Sequence, residues 1–98
     1  MRNVLFHPIA KRELEYSAQY YETQSQGLGK RFLSEIEKGL NRIQAHPDAW
    51  PPFVSPGLRR YLLHYFPYAI LYKNTPDHLY VLALMHLSRE PGYWRERL

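Results

Sequence analysis

The chain has 98 residues, which is room for one domain and not for two. Its 45% hydrophobic content indicates a globular domain rather than a disordered chain, and the absence of cysteine excludes disulfides and thiolate metal sites. The net charge of +4 is uneven: Met1–Ala49 carries +1 and Trp50–Leu98 carries +3, a field that speeds association with acidic partners.

Asn3–Phe6 reads as a short first strand. Pro8 suits the first turn of a helix, where its missing N–H costs nothing. From Ile9 to about Thr23, Ala10, Leu14, Ala18 and Tyr21 form one apolar stripe at helical spacing. Lys11, Arg12, Glu13 and Glu15 are assigned to the wet side. Gln24–Gly29 breaks the pattern. Leu28, Phe32, Ile36, Leu40 and Ile43 then define a second helix of about four turns, with Glu35, Lys38 and Arg42 off its stripe. It ends before Pro47, which disfavours a helical His46. Gly39 weakens this helix, and close helix–helix approach is one reason to keep it. Asp48–Gly57, rich in proline, reads as a loop pinned by Trp50 and Phe53. Leu58–Tyr65, Tyr68–Asn74 and His78–Leu87 read as three strands, and their short connections require an antiparallel meander. The third is apolar almost throughout, which gives it an interior place, with the first strand of the chain on its free edge.

Val4–Phe6 is too short for the apolar region of a signal peptide. The longest apolar run, Leu79–Met85, falls far below the ~20 residues that span a bilayer. The expectation is a cytoplasmic protein with no membrane association.

Three constellations could carry function. Arg59 and Arg60 are adjacent on a strand, so one faces the helices and the other is free to meet a partner. An edge-protecting charge is the plainer explanation. Tyr65, Phe66, Tyr68, Ile70 and Tyr72 could stack bases, but cross-strand core packing accounts for them more simply. The ending from His86 to Arg97 contains His86, Arg89 and Tyr93, residue types able to move protons and stabilise phosphorane-like charge. A hydrophobic latch formed by Tyr93 and Trp94, with Arg95 and Arg97 solvated, explains the same residues structurally. The histidines have no zinc-type spacing, Ser88 has no evident partner base, and neither metal nor cofactor is expected.

These pieces in order resemble the RelE/ParE toxin superfamily: Ala18…Tyr20-Tyr21-Glu22; Gly27-Leu28-Gly29…Phe32…Glu35-Ile36…Leu40…Ile43…Pro47; Arg59-Arg60; Phe66-Pro67-Tyr68…Ile70…Tyr72; and His86…Arg89…Pro91…Tyr93-Trp94…Arg97. The resemblance implies one α+β domain over residues 1–98: a strand, a helical hairpin and a three-stranded antiparallel meander, with the helices packed on one sheet. It also implies the toxin of a bacterial type II toxin–antitoxin pair, neutralised by an antitoxin with a flexible, often acidic segment. The motifs lie closer to the ParE-like branch, whose members bind DNA gyrase. In that case Arg59, Arg60, Arg89, Tyr93, Trp94, Arg95 and Arg97 are the candidate target-binding residues. In a RelE-like, ribosome-dependent mRNA endoribonuclease, His86, Arg89 and Tyr93 would be catalytic. A non-toxic relic that still binds antitoxin is the third alternative.

Overall fold

The computed structural model describes residues 3–90 and 92–98; Pro91, one of the motif residues above, lies outside them. The elements are β1 (Asn3–Phe6), α1 (Pro8–Gln24), α2 (Leu28–Ala45), β2 (Pro52–Phe53), β3 (Ser55–Leu62), β4 (Tyr68–Asn74) and β5 (His78–His86), with a final 3-10 turn at Arg95–Arg97. One sheet runs in the order β1-β5-β4-β3-β2, and its β3–β4–β5 portion is the expected antiparallel meander. β1 lies on the free edge of β5 and runs parallel to it. A parallel neighbour needs a crossover, and the helical hairpin supplies it.

The helices form where the stripes require. His7 caps α1 by accepting the Ile9 N–H at 3.1 Å, and Pro8 occupies the first turn. Ala10, Leu14, Ala18 and Tyr21 all face the core. Glu22 closes the hairpin: its carboxylate accepts the N–H groups of Gly27 at 2.9 Å and Gly29 at 3.0 Å. These bonds hold its pKa below the usual carboxylate value. Gly29 sits so close to α1 that an added Cβ would stand 2.4 Å from the Ala18 carbonyl oxygen. α2 ends at Ala45, before Pro47 as expected, and its 18 residues make about five turns rather than four. Gly39 serves a different contact from the one expected. It lets α2 approach the sheet, not α1, since a Cβ there would meet the Tyr61 ring at 2.8 Å.

The proline-rich segment is partly strand, a second departure from expectation. Pro52–Phe53 forms an outer edge strand on β3, a place where a missing N–H is tolerated. β3 therefore starts at Ser55, and Val54 takes a left-handed φ of 71° in the tight turn between them. β3 also stops at Leu62, because Tyr65 turns the chain with φ 70°.

The sheet is covered on both faces. Phe32, Ile36 and Ile43 of α2 pack on Tyr61, Tyr68, Ile70, Tyr72 and Leu79 on one side. On the other, Leu58, Ala69, Leu71, Leu82, Ala83 and Met85 pack under Trp94. A bulge at Leu82 lets two successive β5 residues, Leu82 and Ala83, serve this second core. The expected latch is thus a third layer. Of the aromatic run, Phe66, Tyr68, Ile70 and Tyr72 are core, whereas Tyr65 is 77% exposed. Among the described residues no helix is long and apolar enough to cross a membrane.

Candidate functional site at the C-terminal strap

β1 ends early, and the site is built on the consequence. After the His7 N–H bonds the Val81 carbonyl, β5 continues to His86 with β4 on one side and no strand among the described residues on its β1 edge. Two side chains take the place of that strand. The Glu13 carboxylate accepts the Leu84 N–H at 3.0 Å, and Arg97 donates to the Leu82 carbonyl at 3.3 Å. Arg97 also grips Glu13 with both nitrogens, each at 2.9 Å. Their side chains are only 14% and 8% exposed. The hydrogen bonds to Glu13 raise the Arg97 pKa further.

Both residues therefore stand where the sequence did not place them. Glu13, assigned to the wet side, lies three residues after Ala10 and four before Ser17, on the flank of the α1 stripe. That flank faces the open part of β5. Arg97, expected to be solvated, is the anchor of the strap. Glu35, also off its stripe, is likewise buried and lies 3.7 Å from Lys38.

The strap stacks on this ion pair. The Arg89 and Arg97 guanidiniums lie 3.7 and 5.2 Å from the Tyr93 ring centre, and Arg89 also reaches Glu13 at 3.9 Å. The Tyr93 hydroxyl is buried beside the Glu13 carboxylate without a well-formed hydrogen bond. Burial, with the Glu13 charge adding to it, pushes its pKa well above the phenol value, so it stays protonated. Trp94 is fully buried and has no surface to offer a partner; its indole N–H is likewise unpaired. Arg95 is exposed, 5.9 Å from the Trp94 ring.

His86 stands edge-on to Tyr68, ring centres 4.9 Å apart. It shares a cavity of about 200 Å³ with Glu13, Tyr16, Ser17 and Arg89. So the structure brings His86 and Arg89 together, with Tyr93 behind Arg89. Ser88, which showed no partner in the sequence, does have one. Its N–H donates to His86 Nδ1 at 3.0 Å, and its hydroxyl lies 2.7 Å from the same atom. An Nδ1 that accepts an N–H leaves the proton of a neutral ring on Nε2. In this arrangement His86 can donate a hydrogen bond but has no free lone pair to abstract a proton.

Arg59 and Arg60 divide as expected. Arg59 points to the helix side, where it bonds the Trp50 carbonyl and pairs with Asp48 at 3.6 Å, so it is spent on holding that loop. Arg60 lies on the other face, 4.5 Å over the Phe53 ring. Among the described residues no cluster of three histidines, aspartates or glutamates could hold a metal ion.

No curated protein sequence matches the chain. Among solved structures, a chain from the "Chromosomal ParDE TA system from P. aeruginosa" superposes with a TM-score of 0.70 at 17% identity. The match covers 90% of this chain and 98% of that one, a likeness of fold. Residues 4–91 match the family described as "ParE toxin of type II toxin-antitoxin system, parDE". The strand, helical hairpin and meander, and a family match over nearly the whole chain, place this protein in the ParE toxin family of type II toxin–antitoxin systems.

Proposed function

We propose that the chain arrests growth as a ParE-like toxin that binds DNA gyrase and performs no chemistry of its own. The observation that carries this reading is the state of the three candidate catalytic residues. The Tyr93 hydroxyl is buried with its pKa raised, the His86 Nδ1 lone pair is occupied by Ser88, and Arg89 is stacked on the Tyr93 ring. A general base needs a lone pair within reach of its proton. This arrangement favours a contact surface over an acid–base pair.

The partner that silences it is a cognate antitoxin. The structural relative belongs to a ParDE toxin–antitoxin system, and the basic second half of this chain suits an acidic, flexible segment that covers a large surface. The chain is expected to act in the cytoplasm, where gyrase and its antitoxin reside.

A ribosome-dependent nuclease is the second reading, favoured by one observation: His86 and Arg89 share a cavity. Induced expression of the chain alone in bacteria separates the two, with DNA supercoiling, DNA breaks and mRNA 5′ ends followed in one culture. Breaks or lost supercoiling with intact messages support gyrase binding. New cuts inside translated codons support the nuclease and sink the gyrase reading. Tyr93→Phe sharpens the test, because the hydroxyl makes no well-formed hydrogen bond and the ring that packs under Arg89 and Arg97 is kept, so the fold is expected to survive. Toxicity is expected to survive it, and to survive His86→Gln.

A further inference from the structure

A second cavity, of about 400 Å³, lies at the other side of the sheet, beside β3 rather than β5. β2 pairs with β3 only as far as Arg59, so the outer edge of Arg60–Leu62 has no strand beside it. The cavity fills that place, lined by Arg42, Trp50, Arg60, Tyr61 and His64. Neither arginine has a carboxylate within salt-bridge distance among the described residues. Arg42 donates to a neutral partner, the Tyr61 hydroxyl, at 2.8 Å, and Arg60 lies over the Phe53 ring. Two guanidiniums and an imidazole thus border one cavity that no acidic side chain lines.

Its aromatic wall is held in place. Trp50 stands edge-on to Tyr61 at 5.0 Å, and its backbone carbonyl is bonded by Arg59. Tyr61 in turn packs into the space left by Gly39. Tyr61 and Trp50 belong to the margin of the first core, but core packing does not explain two guanidiniums without a carboxylate beside them.

We propose that this cavity binds a nucleoside phosphate, with Arg42, Arg60 and His64 on the phosphate and Trp50 against the base. The guanidinium fork matches phosphate oxygens, and two guanidiniums beside an imidazole suit a group with more charge and more acceptors than one carboxylate. The indole supplies the stacking surface that a base uses and an acidic side chain does not. A volume of about 400 Å³ falls within the range of small-ligand sites, about 300–1,000 Å³. The nucleotide can be free or part of a single strand; the chemistry at the cavity is the same. The cavity shares no residue with the strap; Arg60 is its one residue among the candidate gyrase contacts, and Arg42, Trp50 and His64 belong to the cavity alone.

Calorimetric titration of the full chain tests this with four probes: AMP, a short oligodeoxyadenylate, inorganic phosphate and hexaglutamate. AMP and the oligonucleotide are expected to bind, phosphate more weakly, hexaglutamate not at all. Arg42→Gln with Arg60→Gln should weaken both nucleotide probes by about tenfold or more. Trp50→Leu should weaken AMP and leave phosphate unchanged. Equal affinity for AMP and the oligonucleotide identifies a free nucleotide as the ligand; tighter oligonucleotide binding identifies a strand. Arg60→Lys, which keeps the charge and loses the fork, guards against a folding artefact and should fall between the two. Absence of nucleotide binding, tight binding of hexaglutamate, or nucleotide affinities unchanged in the double variant each overturns the proposal.

Discussion

Single side chains in this fold report on pH in opposite directions. Glu22 has a folded pKa below the ordinary carboxylate value of about 4.5 because Gly27 and Gly29 donate to its charged form. Its contribution is therefore present above about pH 4.5 and is lost as pH falls through the lower folded value. Melting of the wild type and Glu22→Gln across an acid series should show a gap at neutral pH that closes in acid. A gap independent of pH would mean that the carboxylate is not what closes the hairpin. Tyr72 and Tyr93 behave the other way. Tyr72, bonded to the Pro47 carbonyl at 2.8 Å, is pushed up to about 12 chiefly by burial, and Tyr93 is raised further. Their neutral forms favour the folded state, so stability is full below pH 10, the ordinary phenol value, and falls as pH rises beyond it. Ultraviolet titration of phenolate should find Tyr72 and Tyr93 ionising only as the fold is lost, and Tyr21, also raised by burial, above the ordinary phenol value.

At the scale of elements, the strap depends on one ion pair and one indole. Glu13→Ala strands the Arg97 guanidinium, whose side chain is 8% exposed, and frees the Leu84 N–H. Breaking one partner of a pair this buried costs about 3–5 kcal/mol. Trp94→Ala empties the space over the second core and costs a similar ~3–5 kcal/mol. The two changes act on one strap and should couple in a double-mutant cycle measured by denaturant melting; strict additivity would show that they hold separate elements. The turn between the helices makes a different demand. Gly29→Ala drives a methyl against the Ala18 carbonyl oxygen, and overpacking of this kind costs about 1–3 kcal/mol, again read by melting.

Over the whole molecule, charge governs encounter more than shape does. The net charge of +4 sits mainly in the second half, and several of its arginines are spent internally: Arg59 on Asp48, Arg97 on Glu13. On the proposed reading, the field they leave would steer an acidic antitoxin segment. Its association rate, followed by stopped flow, should fall with added salt while dissociation changes little. A salt-independent association rate would remove electrostatic steering from the account.

Periodicity alone was enough for both helices and for the meander, because an apolar stripe has one stable use, burial against another element. The same logic made a latch of Tyr93 and Trp94 legible before any coordinates. Edges and pairings were a different matter. Glu13 and Arg97 are 84 positions apart, and nothing local marks either as buried. They meet because β1 is only four residues long and leaves β5 with open hydrogen-bonding groups that must be satisfied. Arg42, Trp50 and Arg60 were separately visible as basic and aromatic residues, but only the short reach of β2 leaves the opening they border. Composition and spacing determined which residues are inside. Where the strands end determined which polar groups had to find each other, and that is settled only when the sheet is assembled.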